Sequence, residues 1–247
     1  FWFALVIVVQ VFLVYLLADT LKLVLLPVYR KNKERWRNHE SRFVLGTIAA
    51  VAVYSIAIIV SNTWSLRIRE ATVTLPPAAV ELDGLRIVHI GDVQGDGRTN
   101  QEIIGHFVKT INSLKPDIVL FAGDLITSGE RYISSTASLM GEIEAAHGKI
   151  AAVGDHDVFS NKKRVMEELA SSGFRIAEDT TLTVRVKEKR IAVTLATYTY
   201  RQRPGSEKLE RAAREATGAD LKIFLVHQPA ESLVTFAQKH GYHCFAA

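Results

Sequence analysis

Three short apolar segments of this sequence end in the same dipeptide, Gly-Asp, and this repetition constrains the fold more than any other feature. The segments cover residues 85–90, 117–122 and 149–153, and the dipeptides are Gly91-Asp92, Gly123-Asp124 and Gly154-Asp155. After a polar turn, the apolar residues in 101–114 recur at the helical period. Strands that alternate with helices predict an α/β fold, in which ligands bind at the edge formed by the carboxyl ends of the strands.

The rest of the chain continues this alternation. Residues 221–226 form a predicted strand that delivers His227 at its end, and His89 lies inside the first apolar run, where we expect a core residue. We also predict an edge strand with a turn in residues 71–85, a strand pair in 181–197, helices in 161–173, 207–217 and 230–240, and the start of a strand in 242–247.

The aspartates at the strand ends predict a metal site. One Gly-Asp serves turns and helix caps, so each aspartate alone indicates little. If Asp92, Asp124 and Asp155 converge, their repulsion opposes folding unless a cation neutralises them. Carboxylate and imidazole ligands without thiolate suit manganese, iron, zinc or magnesium. Two ions about 3.5 to 4 Å apart, bridged by an aspartate, generate hydroxide from water and clamp a phosphoryl group.

Four ordered blocks of residues resemble the motifs of the calcineurin-like metallophosphoesterase superfamily, in its membrane-anchored bacterial type. The blocks are Gly91-Asp92-Val93-Gln94, Gly123-Asp124, Gly154-Asp155-His156-Asp157 and Val226-His227. The family pattern is D-x-H, then G-D, then G-N-H-D or G-N-H-E, then a strand-end histidine, then G-H-x-H. The resemblance extends from Leu85 to the end of the sequence and implies a two-sheet β-sandwich flanked by helices.

The resemblance implies a set of metal ligands. Asp92 would bind the first ion, Asp124 would bridge both ions, and Asp155 and His227 would bind the second. Gln94 stands where the family has a histidine ligand, and its amide oxygen would bind the metal or hold a metal-bound water. Asp155 replaces the usual asparagine, which keeps an oxygen ligand but adds negative charge where a phosphate binds.

The resemblance also implies two catalytic residues. His156 would face the substrate and stabilise or protonate the leaving oxygen, and Asp157 would orient the His156 ring. A solvated or helix-capping histidine is the alternative for His156. The G-H-x-H block is absent before Ala247, so we expect a C-terminally truncated domain that is poorly active by itself, with His243 as a structural residue rather than a substitute ligand.

Two apolar stretches predict membrane spans. Residues 43–60 contain no charge and nearly reach the about 20 residues that a spanning helix needs. Residues 1–18, with apolar character resuming in 23–28, predict a second span rather than a signal peptide. The basic residues between them are Arg30, Lys31, Lys33, Arg35, Arg37 and Arg42.

The position of these basic residues predicts the topology. Because positive residues stay in the cytoplasm, we expect a multi-pass cell-membrane protein whose catalytic domain is extracytoplasmic. Alternatively, the basic stretch binds anionic lipid and the domain stays cytoplasmic. We divide the sequence into a membrane region with two transmembrane helices, residues 1–62, and a metallophosphoesterase domain, residues 63–247.

The functional hypothesis is metal-dependent hydrolysis of a phosphate ester or pyrophosphate, by a hydroxide activated between two divalent ions (manganese, iron or zinc). The substrate would be a phosphorylated small molecule or a lipid-linked compound at the membrane. The net charge of +4 does not predict a nucleic-acid partner, because the basic residues are concentrated between the spans. The alternative, favoured by Gln94 and Asp155 together, is a degenerate membrane protein that binds metal or ligand without turnover.

Overall fold

The computed structural model describes residues 2–24, 26, 33–64, 66–75 and 77–247, which form two compact units, Phe1–Arg69 and Glu70–Ala247. In the first unit, helix α1 (Trp2–Val24) packs against helix α2 (Lys33–Trp64). The stretches Leu5–Val24 and His39–Ser61 have mean hydropathies of 2.0 and 2.5 and are long enough to cross a membrane. Within the described residues, 0% and 6% of their most apolar windows are buried, whereas the core helix of a soluble protein is mostly buried.

The basic stretch between the predicted spans is not entirely a loop. Helix α2 begins at Lys33, so the basic residues from Lys33 to Arg42 are helical. The helix can include this part because residues 33–42 contain no glycine or proline that would end it. Near the same ends of the helices, Lys22 pairs with Asp19 at 3.0 Å and with Glu40 of α2.

The second unit contains two four-stranded sheets. In the first sheet all strands are parallel and follow chain order: β1 (Ile87–Ile90), β2 (Ile118–Phe121), β3 (Lys149–Ala151) and β4 (Phe174–Ile176). The second sheet contains β5 (Thr180–Val186), β6 (Lys189–Ala196), β7 (Leu221–Val226) and β8 (Cys244–Ala246). Only the β5–β6 pair of this sheet is antiparallel.

Helices alternate with these strands. They are α3 (Gln101–Ser113), α4 (Ile133–Gly141), α5 (Asp155–Ser160), α6 (Lys162–Ser171), α7 (Ser206–Glu215) and α8 (Glu231–Lys239). The Asn100 side chain caps α3 by accepting hydrogen bonds from the N–H groups of Glu102 and Ile103. Short 3₁₀ helices lie at Pro77–Leu82 and Glu130–Tyr132.

Alternating side chains on β2 show how the layers pack. Ile118 and Leu120 face a core shared with Val193 and Ile223 of the second sheet. The intervening residues of β2, Val119 and Phe121, pack in a second core with α3, α4 and α6. A third cluster joins the outer face of the second sheet to α7 and α8. The predicted α/β architecture, two sheets flanked by helices, is therefore confirmed.

Several local predictions were wrong or incomplete. The described residues of 71–85 form no strand and instead include the 3₁₀ helix Pro77–Leu82. His89 is exposed rather than buried, because β1 is the edge strand of its sheet. Helix α4 was missed, since its serines and threonine are weak helix formers. Strand β4 was also missed, because three residues are too few to show a period.

Candidate metal and catalytic site

The side chains predicted at the strand ends meet at one edge of the second unit. Asp92 follows β1, Asp124 follows β2, and His227 follows β7 of the other sheet. One ligand atom from each of these three residues lies within 4.8 Å of the other two. The Nε2 atom of His227 is 3.4 Å from Oδ2 of Asp124. Both sheets therefore contribute to one small cluster of carboxylates and imidazole.

Asp155 places a third carboxylate against His227. Its Oδ2 atom is 3.6 Å from Nε2 of His227, and the residue is only 5% exposed. The Tyr200 N–H donates to Oδ1 at 2.8 Å, and the Gln228 side-chain amide donates to Oδ2. Two protein donors thus stabilise the Asp155 carboxylate, which stands where the family pattern has an asparagine.

Gln94 lies half-buried beside the first predicted ligand. Its Nε2 atom donates a hydrogen bond to Oδ1 of Asp92 at 3.1 Å. The contact orients the Asp92 carboxylate through the amide nitrogen. Direct binding of a metal ion by the Gln94 oxygen stays a prediction.

Asp157 does not orient the His156 ring, and this part of the prediction was wrong. Its Oδ2 atom accepts hydrogen bonds from the N–H groups of Asp124 and Gly154, and its Oδ1 atom accepts one from Leu125, each at 2.9 Å. The side chain is 0% exposed, and burial raises its pKa to about 6. The carboxylate is hydrogen-bonded to backbone N–H groups because it is enclosed between the ends of β2 and β3. Asp157 therefore fixes the backbone that carries Asp124.

His156 approaches Asp124 from the other side. Its backbone N–H donates to Oδ1 of Asp124 at 2.8 Å, and its ring Nε2 is 4.0 Å from Oδ2. The ring Nδ1 contacts the carbonyl oxygen of Thr127, which can only accept, so Nδ1 carries a proton. Nε2 is then the ring nitrogen that faces the cluster. A general acid requires this arrangement, although the role of His156 stays a prediction.

Three residues of the site have strained backbone. The φ angles of Asp92, Gln94 and Asp124 are 52°, 48° and 61°, in the left-handed region that non-glycine residues seldom adopt. Two backbone hydrogen bonds stabilise the conformation: Asp92 N–H to Gly123 O at 3.1 Å, and Gln94 N–H to Asp124 O at 3.0 Å. Strain of about 1 to 3 kcal/mol per residue persists where surrounding contacts fix the backbone, and it clusters at functional sites.

Two glycines allow the ends of β2 and β3 to touch. A Cβ atom on Gly123, whose φ is 106°, would lie 2.4 Å from the Gly154 nitrogen. A Cβ atom on Gly154 would lie 2.2 Å from Oδ1 of Asp124. A side chain at Gly123 would separate the strand ends, and a side chain at Gly154 would displace the Asp124 carboxylate. Glycine is therefore required before Asp124 and before Asp155.

Burial and charge interactions shift the pKa values of Asp124 and His227 in opposite directions. Burial, the largest effect, favours the neutral form of Asp124. The hydrogen bonds and charge interactions with His227 and His156 together outweigh burial and leave the pKa of that carboxyl below its usual value. Burial likewise disfavours the charged form of His227, but Asp124, Asp92 and Asp155 leave its pKa above the usual value. A proton on His227 thus compensates the carboxylates, and a bound cation would replace it.

The donor set fits a divalent cation. Asp92, Asp124 and Asp155 offer carboxylate oxygens and His227 offers an imidazole nitrogen, a combination that suits catalytic divalent ions. Asp124 lies centrally, since it contacts both His227 and His156. The sequence interpretation missed Gln228, Tyr200 and Thr127. Only Gln228 carried a signal, because it directly follows His227.

Curated relatives match less than half of the chain. It is 26% identical over 112 residues to "Transmembrane protein with metallophosphoesterase domain" of Danio rerio, covering 45% of this chain and 25% of that protein. It is 30% identical over 93 residues to the uncharacterized metallophosphoesterase YkuE of Bacillus subtilis (strain 168), covering 37% of this chain and 32% of that protein. It is 26% identical over 121 residues to the UDP-2,3-diacylglucosamine pyrophosphatase LpxG of Chlamydia trachomatis, covering 46% of this chain and 37% of that protein.

The matched region thus spans between 25% and 37% of the length of these relatives. Among solved structures, a protein of Thermus thermophilus aligns with 64% of this chain and 79% of its own, at 15% identity and a TM-score of 0.48. The family model described as "Calcineurin-like phosphoesterase" matches residues 85–246, which contain every residue of the cluster. The chain therefore belongs to the calcineurin-like phosphoesterase family, whose members are metal-dependent phosphoric ester hydrolases.

Proposed function

We propose that the protein hydrolyses a phosphate ester or a pyrophosphate at a membrane, with two divalent metal ions held by Asp92, Gln94, Asp124, Asp155 and His227. The observation that carries the proposal is the convergence of Asp92, Asp124 and His227 within 4.8 Å, inside a calcineurin-like phosphoesterase domain. When bound, divalent ions of the manganese, iron or zinc type supply hydroxide near neutral pH and neutralise charge on the phosphoryl group.

The chain's own residues perform the positioning and the proton transfer. Asp124 would bridge the two ions. This role is supported by its central position, in which Oδ1 accepts from the His156 N–H and Oδ2 faces the rings of His227 and His156. Asp157 holds the Asp124 backbone in its strained conformation. With Nδ1 donating to the Thr127 carbonyl, His156 would act in its doubly protonated form, present Nε2–H to the leaving oxygen and donate that proton, becoming neutral.

A membrane-bound or lipid-linked substrate agrees with the rest of the chain. Two helices are long and apolar enough to span a bilayer, and the relatives include a transmembrane protein and a pyrophosphatase named for a diacylated sugar nucleotide. We infer a multi-pass protein with an extracytoplasmic domain, on the strength of the basic residues between the spans.

One observation favours the alternative, a metal- or ligand-binding protein without turnover. The Gln94 amide nitrogen already occupies Oδ1 of Asp92, where the family pattern has a histidine ligand. If this contact persists when metal binds, the first site loses a ligand and its affinity falls.

The test uses full-length protein in detergent, supplied with Mn²⁺. Bound metal is measured by mass spectrometry, and hydrolysis is measured with p-nitrophenyl phosphate, a p-nitrophenyl diester and a nucleoside diphosphate sugar. We expect Asp124→Asn to lower both metal content and activity, the latter by about 100-fold or more. Asp83→Asn, at an exposed turn, is the control and should change neither. Stoichiometric metal without any hydrolysis would favour the alternative, and loss of neither property in Asp124→Asn would refute the proposed site.

A further inference from the structure

A loop from the second sheet is attached directly to the site through Asp155. The loop follows β6, and the Tyr200 N–H donates to Oδ1 of Asp155 at 2.8 Å. Within the loop, Thr199 is fully buried whereas the next residue, Tyr200, is 75% exposed. The loop therefore passes from the protein interior to the surface at the residue that contacts Asp155.

Hydrogen bonds within the loop fix its shape. The Thr199 N–H donates to Gln202 O at 2.8 Å, and the Thr199 hydroxyl accepts from the N–H groups of Arg201 and Gln202 at 3.3 and 3.0 Å. The Gln202 side chain accepts from Lys162 at 3.0 Å and donates to Glu178 at 2.8 Å. Arg201 is thus presented by a turn that is fastened to α6 and to the segment before β5.

The Arg201 side chain extends over an aromatic ring beside His156. Its guanidinium carbon lies 4.3 Å above the centroid of Phe159, a residue that is 43% exposed. Phe159 follows His156 by three residues on α5, and the two rings meet edge to face with centroids 6.4 Å apart. Arg201 and His156 therefore both contact one exposed ring, that of Phe159.

We propose that Arg201 determines substrate specificity by binding a second phosphoryl group, so that the preferred substrate is a diphosphate diester, R–O–P–O–P–O–R′, rather than a monophosphate ester. The inference rests on the proposed function and narrows its substrate class. A guanidinium pairs with phosphate oxygens through two parallel hydrogen bonds, which are stronger than an exposed contact with an aromatic face. The Arg201 guanidinium can therefore exchange its contact with the Phe159 ring for hydrogen bonds to a phosphate. Before substrate binds, the contact with Phe159 holds the guanidinium near the site.

The charge of the site gives a reason for this cation. Asp155 adds a negative charge that the family pattern lacks, and an arginine on the loop that contacts Asp155 compensates it where a polyanion must approach. Arg203 lies on the same loop but its guanidinium is over the Tyr198 ring, at 4.1 Å. Tyr198 packs against the cluster of Leu209 and Phe224, on the outer side of the second sheet. Arg203 is therefore the matched control.

The test compares two substrates that each carry a pyrimidine nucleoside: UDP-glucose, with two phosphates, and the p-nitrophenyl ester of thymidine 5′-phosphate, with one. With full-length protein, Arg201→Gln should lower kcat/KM for UDP-glucose about 10- to 100-fold, and for the single-phosphate ester less than about threefold. Arg201→Lys should be intermediate, because it keeps the charge without the bidentate geometry. Arg203→Gln should stay within about threefold for both substrates.

A measurement of ligand binding tests the role of Arg201 independently of hydrolysis. Calorimetry should show that Arg201→Gln weakens binding of uridine 5′-(α,β-methylene)diphosphate about 10-fold or more and leaves binding of UMP nearly unchanged. Equal losses for both ligands, or a loss no greater than that of Arg203→Gln, would overturn the inference. If wild-type protein hydrolyses neither substrate, the proposed function fails, and the binding comparison alone then decides the role of Arg201.

Discussion

At the scale of single residues, the site depends on contacts between backbone and side chain that hold Asp124 in an unfavourable conformation. Its φ is 61°, its N–H bonds to Asp157, and its carboxylate accepts from the N–H of His156. Gly154 lies against it, with no space for a Cβ atom. The position of the central carboxylate is therefore determined by residues 30 or more positions away in the chain.

The first prediction concerns Gly154. Replacement by alanine places a methyl group 2.2 Å from Oδ1 and 2.3 Å from the nitrogen of Asp124, so the carboxylate must move. We expect Gly154→Ala to lower Mn²⁺ affinity about 10-fold or more, measured by calorimetry. Gly205→Ala is the control: its φ of −68° suits alanine, and nothing lies within 4 Å of the added atom. Unchanged affinity in Gly154→Ala would show that Asp124 tolerates displacement.

The second prediction concerns Asp157. Asparagine in its place would turn an NH₂ group toward backbone N–H groups that now donate to the carboxylate, leaving at least one donor buried without an acceptor. We expect Asp157→Asn to lower the free energy of unfolding by about 2 to 4 kcal/mol, measured by chemical denaturation followed by circular dichroism. Asp83→Asn, at an exposed turn, should change it by less than about 0.5 kcal/mol. A similar small change in Asp157→Asn would contradict its structural role.

At the scale of elements, apolar runs and turn residues made most strands predictable. Strand β7 lies where its apolar run predicted it. Strands β1, β2 and β3 end zero, one and two residues before the predicted Gly-Asp pairs. The partners of Asp157 could not be predicted, because Asp124 and Leu125 are 33 and 32 residues away and only strand packing brings them near. The exposure of His89 was likewise not readable from an apolar run, since it depends on the position of β1 in the sheet.

The third prediction concerns Lys149, which joins two helices beneath the first sheet. The side chain of this β3 residue is nearly buried, and its Nζ atom donates to Gly141 O at 2.7 Å and to Ser172 O at 3.2 Å, at the ends of α4 and α6. A cation suits helix carboxyl ends. We expect Lys149→Met to destabilise the protein by about 1 to 3 kcal/mol at pH 7. Lys163→Met, on the exposed face of α6, should change stability by less than about 0.5 kcal/mol.

The same lysine gives a prediction for pH. Burial lowers the pKa of Lys149 below its value of 10.5 in an unfolded chain. Between the two pKa values the unfolded state binds more protons, so the free energy of unfolding rises with pH in that interval. The stability difference between wild type and Lys149→Met should therefore increase as the pH is raised from 7 toward 10. A difference that stays constant over this range would show that the lysine is not desolvated.

At the scale of the whole molecule, the chain combines a phosphoesterase domain with a unit suited to lipid. The candidate spans Leu5–Val24 and His39–Ser61 are almost entirely unburied by protein, and the ion pairs of Lys22 with Asp19 and Glu40 lie where α1 ends and the second span begins. Charged groups are tolerated near the ends of spans, where they reach the interface. The same ends carry the basic residues on which the predicted topology depends.

The last prediction tests that topology. In a Cys244→Ser background, which removes the single cysteine, Glu188→Cys introduces a thiol in the exposed turn between β5 and β6, and Asn32→Cys introduces one between the two candidate spans. A membrane-impermeant maleimide applied to intact cells should label the cysteine at position 188, whereas the cysteine at position 32 should react only after permeabilisation. Because position 32 adjoins the basic residues, we expect it in the cytoplasm. The reverse pattern would place the phosphoesterase domain in the cytoplasm, and labelling of both from one side would mean that His39–Ser61 does not cross the membrane.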